Sequence, residues 1–141
     1  MRCIGLRYTV TAGIRVRYGW QISNYNGTKR SEVMQDRIKR IYVPMTETGF
    51  YILFCLQNEM HGYNIGQRVK QMTGGAVTIS PGTMYGTLSK MEKDGLIRFV
   101  REEEKRKLYV MTELGREVLE IELHRIERLY KNSKGEYADG R

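Results

Sequence analysis

Seven consecutive charged residues, 101–107 (Arg-Glu-Glu-Glu-Lys-Arg-Lys), interrupt two β-prone runs, Leu96-Ile97-Arg98-Phe99-Val100 and Leu108-Tyr109-Val110-Met111. A block of charge cannot enter a core without a large desolvation cost, so the chain must turn in solvent there. The flanking runs then fold back on each other as a hairpin with an exposed tip. This hairpin sits in a chain whose other apolar residues, from about residue 40 onward, repeat with helical periodicity. The fold class that satisfies both is mainly α with one small β-hairpin.

The helices can be placed from their punctuation. Thr46 is a good N-cap with Glu47 in the first turn, and residues 50–56 (Phe-Tyr-Ile-Leu-Phe-Cys-Leu) follow as a helix that is apolar all round and hence buried on more than one side. Gly62 breaks the pattern, and a second helix runs from about Tyr63 to Met72, with Ile65 and Val69 four apart and Gly74-Gly75 at its end. The β-prone Val77 to Ile79 comes next. Ser80-Pro81 then reads as N-cap and first residue of a third helix reaching Lys93, closed by Asp94-Gly95. After the hairpin, Thr112 caps a long helix through about Lys131, followed by a polar tail over 132–141. Three compact helices, a hairpin and a last helix too long for so small a core are the elements of a winged helix-turn-helix with a C-terminal dimerisation helix.

On the third helix, Met84, Leu88 and Met91 share one face and belong to the core. Gly82, Thr83, Gly86, Ser89, Lys90 and Lys93 fall opposite, with Tyr85 at the flank. That outer face carries no acid, two glycines that permit close approach, hydroxyls and two late lysines, the chemistry of a helix lying in the major groove of double-stranded DNA. Its N-terminal end behind Ser80 and Pro81 offers free N–H groups to a phosphate. A solvated face with a few lysines has the same composition; the neighbouring short helix and charged hairpin favour DNA. The hairpin offers Lys105, Arg106 and Lys107 to phosphates, while Glu102, Glu103 and Glu104 either oppose that or pair locally with the cations. On the last helix, Leu119, Leu123, Ile126 and Tyr130 form a seam, with Leu114, Val118, Ile121 and Leu129 beside it, so that one stripe meets its own domain and the other a second copy.

Several residue groups together are similar to the PadR family of transcriptional regulators: residues 42–53 (Tyr-Val-Pro-Met-Thr-Glu-Thr-Gly-Phe-Tyr-Ile-Leu), His61-Gly62-Tyr63, Pro81-Gly82-Thr83-Met84-Tyr85, residues 92–97 (Glu-Lys-Asp-Gly-Leu-Ile) and residues 109–116 (Tyr-Val-Met-Thr-Glu-Leu-Gly-Arg). The resemblance covers about residues 41–131. It implies a homodimer of winged-helix subunits, joined through the last helix and the first, that represses transcription and leaves its operator on binding a small ligand. It also implies DNA contacts from Ser80, Pro81, Gly82, Thr83, Tyr85, Gly86, Ser89, Lys90 and Lys93, with His61 and Tyr63 supporting phosphate contacts. Some small members of the family bind flat aromatic drugs between the dimer helices through a tryptophan of the last helix; here that helix has none, and Trp20 is the only one in the chain. Phe50, Tyr51 and Phe54, with Leu119, Leu123, Ile126 and Tyr130, remain candidates to line a dimer pocket for a small aromatic or apolar effector, although aromatic residues at helical spacing are more commonly plain core.

Other functions are disfavoured. His61, His124, Cys3 and Cys55 have no metal-ligand spacing, and there is no nucleophile motif or phosphate-cradling glycine loop, so neither an enzyme nor a cofactor is expected. No apolar run approaches the length of a bilayer crossing, no signal peptide is legible, and the two cysteines suit a reducing cytoplasm. The net charge of +8 is concentrated early: residues 1–39 hold eight Lys or Arg against two acids, leaving +2 for residues 40–141. The DNA reading therefore rests on placement rather than on total charge, and a winged helix serving only as a protein-interaction module is the alternative.

The expected organisation is an N-terminal extension over 1–39, a winged helix-turn-helix domain over 40–111, a dimerisation helix over 112–131 and a flexible tail over 132–141. In the extension, apolar residues alternate through Leu6, Tyr8, Val10 and again through Ile14, Val16, Tyr18, Trp20, Ile22, the pattern of two strands. Lys29-Arg30-Ser31-Glu32 can equally be encoded AAA AGG AGT GAG, a purine-rich ribosome-binding sequence ahead of Met34. On that expectation residues 1–33 are an upstream region read as protein; otherwise the first 39 residues are a basic arm that adds nonspecific affinity.

Overall fold

The computed structural model describes residues 2–3, 22–23 and 29–137. The chain divides into two compact units, Met1–Gln35 and Asp36–Arg141. In the first, β1 (Arg2–Cys3) pairs antiparallel with β2 (Ile22–Ser23), Cys3 opposite Ile22. The alternating stretches expected to form two strands, Leu6 to Val10 and Ile14 to Trp20, lie outside the described residues.

A helix that the sequence reading did not anticipate, α1 (Lys29–Tyr42), runs through Met34 and through the expected boundary at residue 39. Its last two turns belong to the second unit, where Ile38 and Tyr42 enter the core and Lys39 reaches the Glu117 carboxylate at 2.7 Å. Seven charged side chains over residues 29–40 mask the apolar spacing of Ile38 and Tyr42, which is why the helix was not legible.

The helices that follow have the expected caps. The Thr46 hydroxyl accepts from the Gly49 N–H at 3.1 Å and begins α2 (Glu47–Cys55), whose Ile52, Leu53 and Cys55 are buried while Phe50, Tyr51 and Phe54 are half-buried against the core. Helix α3 (Gly62–Met72) buries Ile65 and Val69 and gives way to Gly74 and Gly75, both in the left-handed region at φ +59° and +85° that glycine tolerates. Ser80 caps α4 (Pro81–Lys93) by accepting from the Thr83 N–H at 3.2 Å, and Met84, Leu88 and Met91 are its buried face.

Strands β4 (Ile97–Glu103) and β5 (Arg106–Met111) form the hairpin, with Ile97 opposite Met111 and Glu103 opposite Arg106. The ladder therefore continues into the charged block, because alternate side chains of an exposed strand can all reach water. Only Glu104 and Lys105 make the turn, both with positive φ, +49° and +61°, as a two-residue hairpin turn requires. A bulge between Phe99 and Arg101 resets the register. The third strand of the sheet is β3 (Met60–His61), which pairs with β5 to give the order β3-β5-β4. Val77 to Ile79, β-prone in sequence, is not a strand: its start is tied instead to the end of α3, the Val77 N–H donating to the Thr73 hydroxyl at 3.1 Å.

Helix α5 (Glu113–Ser133) begins at Thr112, whose hydroxyl accepts from the Gly115 N–H at 3.1 Å and donates to the Gly95 carbonyl at 2.6 Å. Val118 and Leu119 are fully buried in the same core as Ile52, Leu53, Leu56 and Leu96. The architecture is thus a winged helix-turn-helix of helices and a three-stranded antiparallel sheet, continued by a long final helix. Among the described residues no helix is long and apolar enough to cross a membrane.

Candidate nucleic-acid interface

Burial of Met84, Leu88 and Met91 leaves the opposite side of α4 in solvent. Ser80, Pro81, Gly82, Thr83, Tyr85, Gly86, Ser89, Lys90 and Lys93 are all exposed, so every residue expected on the outer face is on it. A Cβ built at Gly82 or Gly86 would meet nothing within 4 Å, so at both positions the backbone itself is the surface. Beside the start of α4 lies a cleft of about 330 Å³ shared with α3, lined among others by Tyr63, Lys70, Thr78, Pro81 and Tyr85. Lys70 and Thr78 add a cation and a hydroxyl that the sequence reading did not single out; their positions follow from the α3–α4 crossing, which no local pattern encodes.

The wing comes to the same side through Tyr63. The Arg106 guanidinium lies over the Tyr63 ring, 5.6 Å from its centroid, joining β5 to the first turn of α3. Lys105 is at the exposed tip, and Arg106 and Lys107, adjacent on a strand, point to opposite faces. The three glutamates are not equivalent. Glu103 is turned inward along the hairpin, accepting from Arg101 Nε at 2.7 Å, and that hydrogen bond, followed by the charge of Arg101, holds its carboxyl below the usual range. Arg101 also donates to Glu59 at 2.7 Å, so it closes a local network and is not offered to solvent as a free cation.

His61 is placed differently from expectation. Its Nδ1 lies 3.3 Å from the Lys107 carbonyl and its Nε2 3.5 Å from the Glu103 carboxylate, with only 17% of the side chain exposed. It joins β3 to the hairpin, and so supports the wing from beneath. Lys90, too, has partners: the Asp94 carboxylate at 3.3 Å and the Tyr42 hydroxyl at 3.4 Å. Tyr42 donates to Asp94 at 2.7 Å. That hydrogen bond, more than the two neighbouring lysines, keeps the Asp94 carboxyl below its ordinary value, while burial and the same carboxylate push the Tyr42 hydroxyl upward.

The expected dimer and pocket residues separate into two groups. Leu119 is fully buried in the core of its own chain, so it is withdrawn from the surface seam; its position one turn after Gly115, where α5 presses on the α4–β4 turn, decides this. Phe50 and Phe54 stack at 5.8 Å, Phe50 meets Tyr51 edge-on at 5.5 Å, and all three, with Leu123, are half-buried. Ile126 and Tyr130 remain exposed, along with Ile121 and Leu129. Two acids of α5 are buried, which periodicity alone does not reveal: Glu122 takes a bidentate grip from Arg125 at 2.6 and 2.9 Å, and burial, against the pull of Arg116, raises the carboxyl pKa of Glu120. Among the described residues no cluster of His, Cys, Asp and Glu could hold a metal ion.

Comparison with known proteins agrees with this geometry. Residues 52–121 match the family described as the transcriptional regulator PadR-like family. The chain is 31% identical over 78 residues to the transcriptional regulator YqjI of Escherichia coli, covering 55% of this chain and 38% of that protein. It is 36% identical over 70 residues to an uncharacterized protein of transposon Tn4556 from Streptomyces fradiae, covering 50% of this chain and 20% of that one. The chain thus spans well under half the length of these relatives. Among solved structures, a transcriptional regulator from Clostridium thermocellum superposes with a TM-score of 0.55 at 24% identity, covering 73% of this chain and 99% of that one, a likeness of fold. Bacillus subtilis PadR in complex with operator DNA superposes with a TM-score of 0.51 at 25% identity, covering 55% and 47%.

Proposed function

Because the chain belongs to the PadR-like family of transcriptional regulators, we propose that it is a cytoplasmic, dimeric repressor that binds a two-fold symmetric operator and is released by a small aromatic or apolar ligand. The observation that carries the DNA reading is the outer face of α4: exposed, bearing hydroxyls and two lysines, open at two glycines and flanked by the Tyr63–Arg106 junction of the wing. A helix of that composition can lie in a major groove with Ser80, Thr83 and Ser89 toward base edges or phosphates and Lys93 on the backbone. Pro81, Gly82, Tyr85 and Gly86 set the distance of approach. Lys105 at the tip and Arg106 lie beside the groove, with Lys107 on the other face of the strand, Tyr63 holding Arg106 and His61 holding the hairpin.

Dimerisation is supported by the exposed apolar residues along the last turns of α5, Ile126, Leu129 and Tyr130, which a second copy would cover. Two subunits related in this way would read half-sites separated by about 34 Å, one helical turn, or a multiple of it. Phe50, Tyr51 and Phe54 are the aromatic surface on which an effector would be sought.

The test is a mobility-shift titration of the full chain on the promoter region of its own gene, at two salt concentrations, with unrelated DNA as competitor. Specific binding weakened by salt is expected. Substituting Lys93 should lower affinity about equally for all sequences, and changing Thr83 or Ser89 should alter sequence preference. Binding that is absent, or indifferent to salt, would refute the regulator and favour a winged helix that holds a protein partner.

A further inference from the structure

Lys90 stands on the DNA-facing side of α4, one turn before its end, yet its ammonium is already satisfied from three directions. The Asp94 carboxylate lies at 3.3 Å, the Tyr42 hydroxyl at 3.4 Å, and the Tyr42 ring centroid at 4.6 Å beneath the cation. A lone i,i+4 ion pair on a helix surface is weak and yields readily to a phosphate. This pair differs because its carboxylate is anchored: the same Asp94 oxygen that meets Lys90 accepts from Tyr42 at 2.7 Å, and Tyr42 is a core residue of α1, only 9% exposed. Asp94 is also the C-cap of α4, its N–H bonded to the Lys90 carbonyl at 3.0 Å, so neither its backbone nor its carboxylate can follow the lysine into solvent. To reach a phosphate, Lys90 must abandon both an anion and an aromatic face. Among the described residues Lys93 meets neither constraint: it stands exposed and influences Asp94 through charge alone.

We propose that Asp94, held in place by Tyr42, restrains Lys90 from the DNA backbone, so that Lys93 supplies the phosphate contact at this end of α4. The proposal rests on the reading of α4 as the DNA-facing helix. It makes Asp94 and Tyr42 positioning residues that limit the electrostatic affinity of the domain, since one of the two lysines on the recognition face is neutralised from within.

The experiment is a fluorescence-anisotropy titration of the full chain on a labelled duplex of mixed sequence across a range of NaCl concentrations, which needs no knowledge of the operator. Each phosphate contact adds about 0.9 to the slope of log K against log salt. Lys90→Met is expected to leave the slope of the parent chain unchanged. Asp94→Asn is expected to steepen it by about 0.9, a further loss of roughly 3.5-fold between about 50 and 200 mM salt. Combining Asp94→Asn with Lys90→Met should restore the parent slope, which separates release of the lysine from the mere removal of an acid near DNA. Tyr42→Phe keeps the ring, loosens the carboxylate and should steepen the slope in the same sense by a smaller amount. A shallower slope for Lys90→Met in the parent chain overturns the proposal, as does an Asp94→Asn slope that does not depend on Lys90. Either result leaves the DNA reading intact, whereas a parent chain that binds no duplex at any salt sinks both.

Discussion

Gly115 is the position where a single methyl group should do most harm. It is buried in the first turn of α5, and a Cβ built there would overlap the carbonyl oxygen of Leu96, with Met111 Cγ at 2.8 Å and the Leu96 carbonyl carbon at 3.0 Å. The obstructing group is backbone, and it is pinned: the Leu96 carbonyl accepts from the Thr112 N–H at 2.9 Å, and the adjoining Gly95 carbonyl accepts from the Thr112 hydroxyl at 2.6 Å. The α4–β4 turn can retreat only by loosening both bonds. Overpacking of this kind costs about 1–3 kcal/mol, and two weakened hydrogen bonds about 1 kcal/mol each. The better helix propensity of alanine returns about 1 kcal/mol. Gly115→Ala should therefore lose about 2–4 kcal/mol net, read as a lower urea midpoint by circular dichroism with the slope of the transition unchanged. Gly86→Ala, made in parallel, places its methyl in open space on an exposed helix and should gain about 0.5–1 kcal/mol. A Gly115→Ala protein as stable as the parent would refute the close approach of α5 to the turn.

Gly86→Ala carries a second expectation: more stable in the same melt, it should bind DNA about 1–2 kcal/mol more weakly, because the methyl stands where the backbone would approach the groove; unchanged affinity would remove Gly86 from the interface. Glu104 and Lys105 hold left-handed backbone without being glycine, so Glu104→Asn with Lys105→Gly should raise the melting temperature, with a gain of about 1–2 kcal/mol, and an unchanged melt would mean the turn is not strained. Glu120 is buried and its pKa is raised, so its protonated form is favoured in the folded chain. Its favourable contribution is present below the ordinary glutamate range and is lost as pH rises through the folded value. Glu120→Gln should thus stabilise the chain at neutral pH, with a gap over the parent that closes on acidification, and a gap independent of pH would contradict the burial.

The third helix was legible to the residue, and the reason is local. Ser80, Pro81 and the Asp94-Gly95 stop act within one turn of themselves, and the burial of Met84, Leu88 and Met91 follows from helical spacing. The hairpin was legible as an element but too short, since the extension of its ladder through Arg101, Glu102 and Glu103 depends on a partner strand and not on apolar content. Val77 to Ile79 looked like a strand for the converse reason: β propensity cannot supply a neighbour, and the sheet edge on β5 is taken by Met60–His61. Helix α1 was missed because only Ile38 and Tyr42 of its last turns enter the core, too few to stand out among charges.

By itself, then, the sequence determined the order of elements from α2 onward, the two faces of α4 and the family to which the chain belongs, because caps, glycine stops and apolar spacing act over a few residues. Tertiary structure alone decided which of the exposed cations are free to act and which of the apolar residues are free to meet a partner. Lys90 and His61 looked available until Tyr42, more than forty positions away from Lys90, and Lys107, a similar distance from His61, came to rest beside them. Leu119 looked like part of a dimer seam until the close approach at Gly115 turned it into the core. These are contacts between elements, set by how helices cross and sheets register, and no local spacing in the chain encodes them.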